Sequence, residues 1–300
     1  MPTLSIRVPA STSNLGPGFD QLGLCLSLWL EVELEELGRR GLEVEAPTDW
    51  PAPGEDLLWR ALQCGAGASD GGLRERGLRL RISSEVPIGR GLGSTGAAVA
   101  AGLRLGRALA GHPAVDPASL VADGIALEGH PDNITASLLG GLTTCVPLNG
   151  DAPAIVRHPV HPSVGLVACW PPEPLETARA RAALPDTVPF AVAVENARRL
   201  PVLLEGLREG DPRLIRIGSR DGLHEPYRLP LLSGAVEALS AAREAGAWST
   251  NVSGAGSGLV CTCALDDRAV VADALTTHWP GASARPLEVI LEAPAVQLIP

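Results

Sequence analysis

Residues 87–96, Pro-Ile-Gly-Arg-Gly-Leu-Gly-Ser-Thr-Gly, combine the two features an anion cradle needs. Glycines at 89, 91, 93 and 96 let backbone pass close to a ligand, and the small-residue run 97–110 reads as a helix whose first N–H groups lack intrahelical partners. A phosphate suits such a place. No lysine stands before Ser94, so this is not a GxxxxGK[ST] loop, and the acidic residue of a dinucleotide fingerprint is missing. Positive charge must come from elsewhere, a metal ion being one source. Close helix packing, with Gly96, Gly102 and Gly106 as contact points, would also account for these glycines.

A second polar cluster is Glu128-Gly-His-Pro-Asp-Asn133, at the junction of helices read over 117–128 and 134–139. Asp132 could instead cap the second helix and His130 close the first. In the third, Pro9-Ala-Ser-Thr-Ser-Asn-Leu-Gly-Pro-Gly-Phe-Asp20, Asn14 and Asp20 bracket two glycines. It reads as a loop that interrupts a short strand at 4–8, either positioning side chains or bonding its own backbone. Arg181, in a short helix over 177–184, and Arg228, in a polar stretch over 219–228, need partners to stand out from solvated surface arginines. A second glycine-rich turn occupies 251–258.

These clusters need a scaffold. Leu26, Leu28, Leu30, Val32 and Leu34 alternate with Ser27, Trp29, Glu31, Glu33 and Glu35, which predicts a half-buried antiparallel strand over 24–37. Residues 65–77 read as a glycine-rich turn region before a strand at 78–83. From 164 onward the order strand, several helices, strand, helix, strand suits helices on one side of an antiparallel sheet. A boundary within 150–162 divides the chain into domains 1–155 and 156–300.

The chain has 300 residues and a formal charge of −10, and its 24 basic residues form no cluster, which argues against a nucleic-acid partner. No apolar run is long enough to span a bilayer, and no basic-then-apolar leader opens the chain. The expectation is a soluble, cytoplasmic protein without a membrane partner. The six cysteines read as buried reduced thiols, since Cys261-Thr-Cys263 has no suitably spaced histidine or further cysteine for a metal site.

The ordered set of motifs resembles the small-molecule kinase superfamily of galactokinase, homoserine kinase, mevalonate kinase and phosphomevalonate kinase, and within it most closely the homoserine kinases. Residues 9–20 are similar to the opening motif, 91–97 to the phosphate loop and 128–133 to the substrate corner. Weaker matches lie at 180–185, 225–228 and 253–256. The resemblance implies an α+β fold of two domains: an N-terminal α/β domain with a left-handed crossover, and a ferredoxin-like C-terminal domain. It implies ATP and Mg2+, phosphorylation of the L-homoserine side-chain hydroxyl in threonine biosynthesis, and a homodimer.

Carried over residue by residue, Pro87, Gly89, Gly91, Leu92, Gly93, Ser94, Thr95 and Gly96 would bind the nucleotide, and Ser94 and Glu128 the magnesium. Arg181 and Arg228 would hold the substrate carboxylate, with His130 supporting that end. Asn14, Asp20, Asp132 and Asn133 would handle the amino group and reacting hydroxyl. Asn14, Ser94, Asp132 and Asn133 form the catalytic set, Asp132 positioning the hydroxyl rather than removing its proton. The alternatives are a same-fold kinase acting on another small hydroxylated metabolite and a non-catalytic binding protein. Two departures stand out: Ser94-Thr-Gly96 where Ser-Ser-Ala is usual, and Ser257-Gly258 where proline and then serine or threonine are usual.

Overall fold

The computed structural model describes residues 3–52, 56–148 and 151–299. Strand β1 (Thr3–Asn14) runs straight through most of the stretch expected to be a loop. Ser11, Thr12 and Ser13 are buried there, and their hydroxyls meet Asn133 and Ser253 of distant elements. A polar strand holds where other elements satisfy its side chains. Asn14 and Leu15 then adopt φ of 70° and 48° in a tight turn into β2 (Gly18–Glu36).

The chain continues through β3 (Leu42–Glu45), α1 (Leu57–Ala66), α2 (Asp70–Arg76), β4 (Leu78–Ser84) and α3 (Ser94–Leu109). Helix α2 occupies the region read as turn. Ser69 caps it by accepting from Gly72 N, and Asp70 pairs with Arg74 one turn on. Next come α4 (Val121–Glu128), α5 (Asp132–Leu139), β5 (Leu142–Val146) and β6 (Ala154–His158). Strand β2 is the spine of this half, antiparallel to β1, β4 and β5, while β3 lies parallel to β4. Its leucines at 22–34 are buried, as the alternation requires, and Glu33 and Glu35 pair with Arg81 and Arg79 on the other face.

The expected boundary after residue 155 falls inside β6, which pairs with β5. The chain reaches the second sheet at β7 (Val164–Trp170), followed by α6 (Thr177–Ala182), α7 (Phe190–Glu209), α8 (Pro212–Gly218), α9 (Glu225–Arg228) and α10 (Ala235–Glu244). Then come β8 (Ser249–Val252), β9 (Leu259–Ala264), α11 (Arg268–His278) and β10 (Ser283–Leu287). Antiparallel throughout and ordered β10-β7-β9-β8, this is a ferredoxin-like sheet. The last strand, β11 (Val296–Ile299), returns to pair with β1.

Helices do not lie on one side of the second sheet alone. Val167, Cys169, Cys261 and Cys263 pack with α10 and α11, whereas Leu166, Ala168 and Val260 join a core shared with α7, α8 and the first sheet. Both faces of β7 and β9 are buried, so their sequences are continuous apolar runs rather than alternating ones. The six cysteines are free thiols, and all but Cys64 are buried. Among the described residues no helix is long and apolar enough to cross a membrane.

Helices α1 and α3 cross at glycines. A Cβ on Gly102 would stand 2.3 Å from Leu58 O, and one on Gly106 would stand 2.4 Å from Leu62 O. Packing therefore explains these two glycines. Gly102→Val is expected to destabilise the fold by about 3 kcal/mol, because backbone cannot yield as a side-chain tip does. Denaturant unfolding checks this, and a loss below about 1 kcal/mol would show that the helices can separate.

Candidate active site

The glycine-rich turn leads from β4 into α3, with Gly93 at the N-cap position, φ 70°, and no side-chain cap. Its free N–H groups face a cavity of about 170 Å3. Two other segments brace it: a Cβ on Gly91 would lie 2.0 Å from Ser253 O, and one on Gly93 would lie 2.2 Å from Ser11 Oγ. Ser253 Oγ donates to Gly91 O at 2.7 Å, and Gly258 N donates to Arg90 O at 3.0 Å. The glycine in each departure from the family pattern has a packing reason. A Cβ on Gly258 would stand 2.4 Å from Arg90 O, so no serine or threonine fits there without a shift. A Cβ on Gly96 would stand 3.0 Å from Asn133 Cβ, where α3 runs close to α5.

Gly89, Gly91, Gly93, Ser94 and Thr95 line the cavity, together with Asn14, Asp20, His130, Asp132, Asn133, Arg181 and Arg228. Pro87, Leu92, Gly96 and Glu128 do not, although Glu128 reaches the lining residue Thr95. Leu92 and Gly96 are buried in packing, and Pro87 lines a separate cleft beside Arg90 and Trp170. Thr95 donates its hydroxyl to Glu128 Oε1 at 2.8 Å, while the buried Glu128 Oε2 has no partner. Burial pushes the Glu128 carboxyl up to about 7, the His130 charge opposing it only partly.

His130 Nδ1 lies 2.7 Å from Asp132 Oδ1, which also accepts from Asn133 N. Burial alone would push the imidazole down, but its bond to Asp132 and the nearby Glu128 and Asp132 charges raise it to about 8. For Asp132, burial pushes up and is outweighed by His130, Asn133 N and Ser13, leaving it below the usual carboxylate range. At neutral pH the two form an ion pair. Such a carboxylate can position a hydroxyl and is a weak base for one.

Asn133 and Asn14 touch the cavity with their hydrogen-bonding groups already engaged. Asn133 accepts from Ser11 and donates to Ser13, fastening α5 to β1. Asn14 donates to Gly254 O and accepts from Asp20 N. Arg181 forms a two-pronged pair with Asp20 at 2.8 and 2.9 Å. Arg228 is 2 % exposed, donates to Gly254 O, and has an Nε with no partner. Its guanidinium carbon lies 5.2 Å from the centroid of Phe19. Among the described residues it has no acidic partner within 4.0 Å.

Sequence reasoning passed over Ser13, Thr177 and Gly254 to Gly256, all of which line the cavity, and Phe19, against which both arginines lie. Ser13, Phe19 and Gly254 fall inside the quoted motifs, so a signal was present without a role.

Glu225, the first residue of α9, accepts from Asn251 Nδ2 and Val252 N, yet burial raises its carboxyl to about 7. The folded chain thus holds this proton up to about 7 and the unfolded chain only up to about 4.5, so stability falls as pH rises across that window. Glu225→Gln keeps an accepting oxygen. It is expected to stabilise the protein by about 2 kcal/mol near pH 8 and hardly at all near pH 4, read by unfolding at both. Equal effects at the two pH values would refute the assignment.

Residues 56–141 match the family described as GHMP kinases N terminal domain, and residues 203–281 that described as GHMP kinases C terminal. The chain is 39% identical over 280 residues to the homoserine kinase of Prochlorococcus marinus (strain MIT 9303), covering 91% of this chain and 88% of that one. It is 37% identical over 285 residues to the homoserine kinase of Gloeobacter violaceus, covering 93% and 94%. A crystal structure of homoserine kinase from Cytophaga hutchinsonii shares the fold with a TM-score of 0.85, at 23% identity and 98% and 97% coverage. L. major mevalonate kinase in complex with R-mevalonate does so at 0.75, with 17% identity and 96% coverage of each chain. With both halves matched and the glycine-rich turn, His130, Asp132, Asn133 and the two arginines gathered on one cavity, the chain belongs to the GHMP kinase superfamily of ATP-dependent small-molecule kinases and is closely related to the homoserine kinases.

Proposed function

We propose that this chain transfers the terminal phosphoryl group of magnesium-ATP to the side-chain hydroxyl of L-homoserine, forming O-phospho-L-homoserine for threonine biosynthesis. Its superfamily phosphorylates small hydroxylated metabolites. One observation carries the choice of acceptor: a buried guanidinium without an acidic partner, Arg228, opens on the same small cavity as the carboxylate of Asp20. A buried charge of that kind calls for an opposite charge on the ligand. An amino acid brings a carboxylate for Arg228 and Arg181 and an ammonium for Asp20.

The backbone N–H groups at Gly93 to Thr95 and the α3 dipole bind the phosphates. The unpartnered Glu128 Oε2 fits a hard cation, and Ser94 offers a hydroxyl on the cavity wall at the start of α3. Ser94 and Glu128 would hold magnesium, which compensates phosphate charge when bound. Among the described residues no three His, Cys, Asp or Glu side chains could hold a metal ion by themselves, so phosphate oxygens and water would complete its coordination. Asp132, fixed by His130 and Asn133 N, accepts a hydrogen bond from the acceptor hydroxyl and holds its oxygen in line with the transferring phosphorus. A loose transition state needs no early proton removal.

Asp132→Asn is expected to lower kcat about 30-fold while leaving KM for ATP within about threefold, since the amide keeps an accepting oxygen but loses the charge and the ion pair with His130 that fix it against the hydroxyl. Turnover within threefold of the parent would rule out an important role for its charge. The acceptor itself is tested by ADP release with magnesium-ATP across L-homoserine, L-threonine, L-serine, mevalonate and galactose. Stimulation only by a non-amino-acid alcohol overturns the proposal, and stimulation by none favours a binding role.

A further inference from the structure

A second cavity, about 700 Å3, is lined by Arg216, Arg220, Arg243, Trp248, Thr250 and Glu225 among others. It shares α9 with the active site: Glu225, the first residue of that helix, lines this cavity, and Arg228, the last, lines the other. None of the three arginines has an acidic partner within 4.0 Å among the described residues. In a chain of charge −10 that is a local concentration of unneutralised positive charge. Two acidic groups beside it offset only part of that charge. Asp221 is turned to the backbone N–H groups of Leu223, His224 and Glu225, and burial raises the Glu225 carboxyl to about 7.

The floor offers donors as well. Strand β8 is an edge, with β9 on its inner side. Ser253 N bonds Gly258 O on that inner side, while Val252 N points outward to Glu225 Oε1 at 2.8 Å. By the alternation of an antiparallel ladder, Thr250 N, two residues earlier, also points outward. Thr250 is only 7% exposed, and its hydroxyl has no hydrogen-bond partner among the described residues.

We propose that this cavity binds a small oxyanion, a carboxylate or phosphate group, on the three guanidiniums and the Thr250 amide and hydroxyl, and that its occupancy alters acceptor binding through α9. Guanidinium forks and a backbone N–H match either group. The coupling route is short. Glu225 ties the start of α9 to β8, and one helical turn later Arg228 is tied to Gly254. Movement of the arginines and β8 around an anion therefore shifts the guanidinium that meets the acceptor. The binding site stands independently of the acceptor proposed above; only the coupling rests on Arg228 meeting the acceptor carboxylate.

Trp248 supplies a readout. The intact protein, with saturating magnesium-ADP in its active site, is titrated with potassium phosphate and separately with sodium acetate at constant ionic strength. Tryptophan emission is expected to change saturably with at least one of them, and the two arms show which oxyanion binds better. Trp248→Phe should abolish the change, and Arg220→Gln combined with Arg243→Gln should raise the apparent Kd at least about tenfold. No saturable change below about 50 mM of either anion, or an unaltered Kd in the double variant, overturns the site. For coupling, acceptor KM is expected to shift at least about threefold at saturating anion in the parent and to stay constant in the double variant, whose kcat without anion matches the parent. Saturable binding with an unchanged KM overturns the coupling.

Discussion

Arg228→Met is expected to lower kcat/KM for L-homoserine about 1000-fold, mostly through KM, with KM for magnesium-ATP changed less than about threefold. Arg228 is buried against Phe19 and unpaired, so in the complex its charge would be satisfied chiefly by the substrate carboxylate. Truncating one member of a buried, hydrogen-bonded charge pair typically costs several kcal/mol. Methionine roughly preserves the volume beside Phe19, and thermal unfolding of the variant separates a binding defect from misfolding. Arg228→Lys should fall between the two, keeping charge while losing the planar fork. A KM for L-homoserine within about fivefold of the parent would remove Arg228 from the carboxylate site and with it the main reason for an amino-acid acceptor.

Glu128→Gln is expected to lower kcat/KM about 100-fold and to abolish the thermal stabilisation that magnesium adds in the presence of a non-hydrolysable ATP analogue. The reason is the unpartnered, buried Oε2 beside the start of α3. Without ligands the variant should be at least as stable as the parent near pH 8, because burial penalises the parent's ionised carboxylate and the amide carries no charge. That combination, a stable fold with no magnesium response, distinguishes a lost cation ligand from a damaged structure. An unchanged magnesium response in the variant would exclude Glu128 as a ligand, whatever its effect on turnover.

Much of the scaffold was legible because its signals are local. The alternation at 26–34 determined which face of β2 is buried, and the helix read from 117 starts there as a 3-10 turn over Pro117–Leu120, with Asp116 accepting from Ala118 N. The misreadings came where distant partners override local preference. Ser11, Thr12 and Ser13 look like loop residues until Asn133 and Ser253, over a hundred residues away, satisfy their hydroxyls. Strands β8 and β11 are four residues each, too short for a period to show, and exist by pairing with β9 and β1.

The glycine-rich turn shows the same division. From the sequence alone it was an anion cradle without a lysine, leading into a helix, because glycine spacing and free N–H groups are local properties of the chain. The motifs at 9–20, 91–97 and 128–133 likewise carried the family resemblance in the sequence. Which of these side chains are engaged and which are left free was decided only by the tertiary structure. Thr95 turns to Glu128, Asn133 to β1, and Asp132 to His130, while Arg228 is buried with its Nε left without a partner. Charge state and availability depend on burial and on neighbours far along the chain, and only the folded arrangement sets those distances.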